Sequence, residues 1–199
     1  MLSYMKRRLL GLTVMMALAS GSAMAQKAAL KTNLVTDATA TVNLGAEFAL
    51  APKWTLDLSG NYNGWTLKDN KKWKHWLAQP EARYWFCDKY MGHFVGMHAL
   101  GGQFNAGGLK NLDFKYMGAD FGQLKDHRYE GWMMGVGFAY GYAWALGRHW
   151  NMEAELGVGY VHTKSDKYSC EKCGDKVASD VKNDFFSVTK AALNLVYVF

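Results

Sequence analysis

Over residues 130–146 the chain alternates with a strict period of two. Trp132, Met134, Val136, Phe138, Tyr140, Tyr142, Trp144 and Leu146 hold the even positions, and the odd positions are almost all Gly or Ala. Such alternation marks a β-strand with two different faces. A small soluble barrel would have to turn the bulky face into an interior wide enough only for modest side chains, and this row would overfill it. Turned outward, the same row makes an apolar band with aromatic residues towards both ends, as a strand facing lipid requires. The expectation is an all-β fold: an eight-stranded antiparallel transmembrane up-and-down β-barrel.

Seven further segments of similar pattern support that count. They fall at about residues 29–36, 39–50, 54–63, 79–87, 92–104, 150–162 and 185–199. The seventh in order sets Trp150, Met152, Ala154, Leu156, Val158 and Tyr160 against Asn151, Glu153, Glu155, Gly157 and Gly159. In the fifth, Phe94, His98, Leu100 and Phe104 share one parity while Val95, Met97 and Ala99 share the other, so the pattern does not choose its faces. The connections alternate in length. Short turns at 51–53, 88–91 and 147–149 belong at the periplasmic end, and longer loops at 64–78, 105–129 and 163–184 at the outer end, where only the turn at Asp37 and Ala38 is short.

Composition changes the picture at the N-terminus. Lys6, Arg7 and Arg8, an apolar run over 9–19 and Ala23-Met24-Ala25 form a secretory signal peptide, so residues 1–25 are expected to be removed and 26–199 to form a single barrel domain. Nothing later is long and apolar enough to read as a membrane-spanning helix. Losing the three basic residues takes the formal net charge from +6 to +3, which leaves no concentrated basic face for nucleic acid. The expected location is the outer membrane of a Gram-negative bacterium.

With the apolar faces outward, the opposite parity places Lys31, Glu47, Asp57, Glu81, Arg83, Glu153, Glu155 and Lys190 in the lumen, together with Asn33, Asn43, Asn61 and Asn194. A narrow interior holding both signs of charge must pair them, and an eight-stranded barrel encloses packed side chains, so no porin activity is expected. Glycines on the sixth and seventh strands would make room for Arg83 and the lysines.

Several short stretches also carry a family likeness: Lys31-Thr32-Asn33, Asn43-Leu44-Gly45, Pro80-Glu81-Ala82-Arg83-Tyr84-Trp85, Gly92-His93-Phe94, Tyr140-Gly141-Tyr142, Trp150-Asn151-Met152-Glu153, Cys170 with Cys173-Gly174, and Thr189-Lys190. Together they resemble a domain-of-unknown-function family of Gram-negative outer-membrane proteins whose genes often lie beside fimbrillin-type genes. The likeness spans nearly the whole mature chain and departs at Ser187-Val188, where Gly-Pro is expected. It implies a link to surface fimbriae, and the C-terminal Phe199 resembles the signal read by the outer-membrane assembly machinery.

Candidate chemistry is sparse. Cys170 and Cys173 form a C-x-x-C that could be a redox pair, half of a zinc site or a local disulfide. Outside the cytosol, without a second ligand pair or a thioredoxin-like pattern, a disulfide stapling the last outer loop is favoured, leaving Cys87 as a lone thiol. Lys68, Lys71, Lys72, Lys74 and His75, interleaved with Trp65, Trp73 and Trp76, suit anionic lipid headgroups better than nucleic acid. A hydrolase would need a base within reach of a nucleophile; the nearest set, His162 with Ser165 and Asp166, falls on opposite strand faces. His93 and His98 read as rim or packing residues, and no metal or cofactor is expected. The sequence thus points to a non-enzymatic outer-membrane barrel, structural or accessory to fimbria assembly or anchoring, with a lipid A-modifying enzyme as the alternative.

Overall fold

The computed structural model describes residues 28–65, 72–107, 115–116, 119–120, 127–169 and 176–199. Residues 1–25, expected to be a signal peptide, and both Cys170 and Cys173 lie outside the described residues. Ten strands and one short helix follow in order: β1 (Ala28–Asn33), α1 (Leu34–Ala38), β2 (Val42–Ala51), β3 (Trp54–Asn63), β4 (Lys72–Trp85), β5 (Gly92–Gly107), the two-residue strands β6 (Lys115–Tyr116) and β7 (Ala119–Asp120), β8 (Arg128–Ala145), β9 (Trp150–Tyr168) and β10 (Lys176–Val198). The eight long strands form one antiparallel sheet that closes in the order β1, β10, β9, β8, β5, β4, β3, β2, and β6 pairs with β7 alone.

Register fixes the shape of the ring. Paired residues followed once around it from Ser187 run through Gly159, Gly137, His98, Glu81, Asp57, Glu47 and Ala29 and return to β10 at Val198, eleven residues along. One of those is the extra residue of a bulge between Val188 and Lys190. Such a stagger tilts the strands by roughly 40° from the axis. The bulge falls beside Ser187-Val188.

The closed sheet is inverted relative to a water-soluble protein. Phe138 is 70% exposed, Leu50 66% and Leu44 64%, all on the outer face, whereas Arg83, Glu47 and Asp57 are fully buried inside. On β5 the ambiguity resolves by alternation: Phe94, Gly96, His98 and Leu100 point inward, and His93, Val95 and Met97 outward. The three short turns lie where expected, at the end of the ring that carries Phe199, here called the inner end; Leu146 and Met91 donate backbone hydrogen bonds within two of them.

The other end differs from expectation. Residues 34–36, read as the end of the first strand, begin α1 instead, because the Asn33 side chain caps it by accepting from the Val35 amide at 3.1 Å. Strands also run further than the hydrophobic pattern: β4 starts at Lys72, and β9 and β10 stay paired through much of the region read as the loop 163–184. Backbone ladders continue there without an apolar face to signal them.

Candidate functional site

The lumen is filled in layers. At the inner end an apolar floor is built from Trp85, Phe94, Tyr90, Ala29, Ala143, Val196 and Val198. Trp85 and Phe94 are both fully buried, with ring centroids 4.6 Å apart, and Tyr90 lies 6.1 Å from Trp85. Gly141 on β8 makes the floor possible, since a Cβ there would fall 2.2 Å from the Phe94 ring.

Above the floor lies the ionic layer, centred on Arg83. Its Nε donates to Glu81 at 2.6 Å, Nη1 to Glu47 at 2.9 Å and Glu153 at 3.0 Å, and Nη2 to Glu155 at 2.7 Å, with Asp57 at 3.3 Å. Few residues other than Arg could do this, because the planar guanidinium carries five donors in a fixed fork. Lys31 pairs with Glu47, and lies 3.6 Å from Asp57 and 3.7 Å from Glu153. Lys190 reaches Glu81 at 3.1 Å, Glu155 at 3.3 Å and Asp57 at 3.4 Å. All eight charged residues assigned to the lumen from parity therefore meet in one network, three cations among five carboxylates.

Neutral groups complete it. Asn194 donates to Glu153 at 2.7 Å, Thr55 donates to Glu47, and Trp85 Nε1 donates to Thr55 at 2.9 Å, which ties the layer to the floor. The Arg83 guanidinium also lies 4.5 Å above the Phe94 ring. His98, read from sequence as a rim or packing residue, belongs to this layer: Nδ1 is 3.3 Å from Glu81 and Nε2 is 2.8 Å from the Thr189 hydroxyl. The space it occupies is left by Gly137, whose Cβ would sit 2.7 Å from His98 Nε2. Glycine on these strands thus makes room for His98, Phe94 and, at Gly157, whose Cβ would sit 3.1 Å from that of Lys190, for one of the lysines as expected, but not for Arg83.

Towards the outer end the lumen opens into a polar cavity of about 170 Å³ whose lining includes Asn33, Asn43, Asn61, Gln79, Thr189 and Lys190. Much of this wall is already satisfied internally. Asn43 donates to Asn61 at 2.8 Å, and Gln79 to the Thr189 carbonyl at 2.9 Å.

The remaining candidates separate. Lys74 and His75 lie on β4, not in a loop, and Trp73 and Trp76 with them; Trp76 is exposed and donates to Gln103, while His75 lines the lumenal cavity. The basic and aromatic cluster is therefore split across the sheet, and Lys68 and Lys71 lie outside the described residues. Ser165 is buried on the lumenal face, whereas His162 sits on the outer face with Asp184 of β10 and the Trp132 ring. Asp166 instead holds Lys176 at 2.7 Å. Asp184 was missed because its partner lies across the strand pair, and hydrogen bonds from His162 and Tyr160 hold its carboxyl below the usual range. His93 faces outward and accepts from or donates to the Tyr140 hydroxyl at 2.6 Å. Cys87 is a free, exposed thiol. Phe199 closes the chain at the seam, its amide donating to the Ala28 carbonyl at 3.0 Å. Among the described residues no group of three or more His, Cys, Asp or Glu is placed to hold a metal ion.

No curated protein matches the chain. A family described as protein of unknown function, DUF3575, matches residues 10–199. An all-β chain whose eight antiparallel strands close around a packed ionic lumen is thus a member of the DUF3575 family.

Proposed function

We propose that this chain is a non-enzymatic barrel of a Gram-negative outer membrane, with a plugged lumen, serving as a structural envelope protein or as an accessory to surface fimbriae. The observation that carries the reading is the inversion of the sheet. Leu44, Leu58, Met97, Val136, Phe138, Leu156 and Val158 form an exposed apolar belt, far beyond what soluble proteins leave uncovered. Aromatic residues border it on both sides: Trp54, Phe86, Trp144, Trp150 and Phe199 at the inner end, and Tyr62, Trp76, Tyr160 and Phe186 at the outer. On β10 the two borders are Phe186 and Tyr197. At about 3.3 Å per residue and a tilt of roughly 40°, they stand about 25 Å apart along the axis, the height of an outer-membrane apolar band.

The fimbrial part of the proposal rests on the family likeness in the sequence, and the C-terminal aromatic supports recognition by the assembly machinery. Lipid, including anionic headgroups beside Lys74 and Trp76, is the expected surrounding. The native protein should fractionate with the outer membrane and shift its gel mobility on heating, as closed barrels do. Recovery as a soluble periplasmic protein would overturn the proposal. Planar-bilayer recordings should show no stable large conductance, since Trp85 and Phe94 seal the inner end.

A second reading, a lipid-modifying enzyme, is favoured by one observation: the His162–Asp184 pair faces outward at the level of the outer aromatic border. Unchanged lipid A acyl chains in a deletion strain would remove it.

A further inference from the structure

We propose that the edge of β10 over residues 181–188, which no strand among the described residues covers, docks an extended strand of another polypeptide. The proposal rests on the outer-membrane reading above. β10 is 23 residues long, yet β1 pairs with five of them, from Asn194 to Val198. Just above, the Asn33 side chain donates to the Ala191 carbonyl at 3.1 Å and accepts from the Leu193 amide at 3.2 Å, so α1 and its cap take over from the strand. Higher still, no described strand lies on that side, although on the other side β9 pairs without a break from Val181 to Val188. Irregularities bound this stretch, the bulge below and Asp180 in the left-handed region (φ 58°) above.

The missing partner can be described by its chemistry. Eight residues at strand spacing present a series of backbone donors and acceptors, and another extended backbone supplies the matching series. Acyl chains supply none. Phe186 at the outer border of the apolar belt and Val188 within it both face outward, so the lower end of the edge reaches to where an unpaired amide costs most. A second copy does not fit. Copies in one membrane point the same way, and a two-fold axis along the membrane normal turns two strands tilted by roughly 40° across each other instead of alongside. Lys182 faces outward directly across from Lys164 of β9, and among the described residues its charge acts on Asp184, two residues along the strand, without a direct ion pair of the kind that Lys164 and Lys176 make. The incoming strand therefore carries a carboxylate opposite Lys182 and apolar residues, at alternate positions, opposite Phe186 and Val188.

The test places the photo-crosslinking residue benzoylphenylalanine in turn at Lys182, Asp184 and Phe186 of the full-length protein in cells. All three positions are exposed. Adducts are mapped in isolated outer membranes. The expected result is attachment to one segment of a different polypeptide, the attachment point moving about two residues with each two-residue step. Lys182→Glu should lower the adduct yield at Phe186 at least fivefold. Adducts only to lipid, to a second copy, to this chain's own connection between Gly107 and His127, or to scattered sites without register would overturn the proposal. Absence of the protein from the outer-membrane fraction would instead overturn the reading beneath it.

Discussion

The floor and the ionic layer fill adjacent slices of the same lumen by opposite means. Around Trp85 and Phe94 the space is closed by area: rings stack, small residues fit between them, and each contact is worth little alone. Around Arg83 it is closed by pairing, and each carboxylate is tolerable only while a cation faces it. The floor should therefore yield gradually to substitution and the ionic layer abruptly. The two means meet in one lumen, with aromatic bulk filling one end and a charge network the middle.

The sharpest break comes from Arg83→Met. It strands Glu47, Glu81, Glu153 and Glu155 without their shared cation, a loss of about 3–5 kcal/mol or more. No heat-shifted folded form should be recovered. Combining it with Glu153→Gln and Glu155→Gln should restore folding in part, measured by urea titration in detergent, whereas equal loss in both variants would deny that pairing is the cause.

Next in size, Trp85→Ala empties the floor and removes the hydrogen bond to Thr55, costing about 3–4 kcal/mol. Assembly should survive with a lower urea midpoint. Smaller again, Gly141→Ala brings a Cβ against the Phe94 ring and should cost about 1–3 kcal/mol. Gly147→Ala, with open space around it, is the control and should leave the midpoint unchanged.

The smallest effect lies outside the lumen and tests whether burial gives the ionic layer its weight. Asp166 and Lys176 pair on the outer hairpin with side chains 30% and 44% exposed. Hydrogen bonds from Lys176 and from the Asp180 amide hold the Asp166 carboxyl below the ordinary aspartate value of about 4. Folding therefore favours the ionised form, and the contribution is complete above that value and fades as acid protonates the folded carboxyl. The protection factor of the Asp180 amide, its exchange rate corrected for the intrinsic dependence on pH, should fall between pH 6 and pH 3, with the barrel unaffected.

Much of this was legible in the sequence, and the parts that were not share a cause. Alternation located the inner ends of the strands because there one face is bulky and apolar and the other lines a packed lumen. It failed above the belt, where residues 163–168 and 176–184 pair in a ladder whose two faces are both polar, so that no contrast marks the strand. Asn33 shows the other limit. Its parity agrees with a lumenal strand residue, but its side chain also caps a helix, and a period-two pattern does not register a cap. Parity likewise indicated which charged residues face inward, yet not who pairs with whom, because Arg83 on β4 meets Glu153 and Glu155 from β9 across the lumen. His98 reads from the sequence only as a rim or packing residue for the same reason: Glu81 and Thr189 stand beside it only once the ring has closed.

The seam between β1 and β10 has a kinetic consequence. It joins the two ends of the chain with five rungs, whereas β9 and β10, joined by a hairpin, share eighteen. Closing the ring thus demands the longest loop and returns few rungs. Hairpins should form early and closure last, through an open eight-stranded sheet whose lumenal carboxylates are not yet enclosed. How long that open sheet lasts, and what holds it meanwhile, would set the rate at which this protein reaches its folded form.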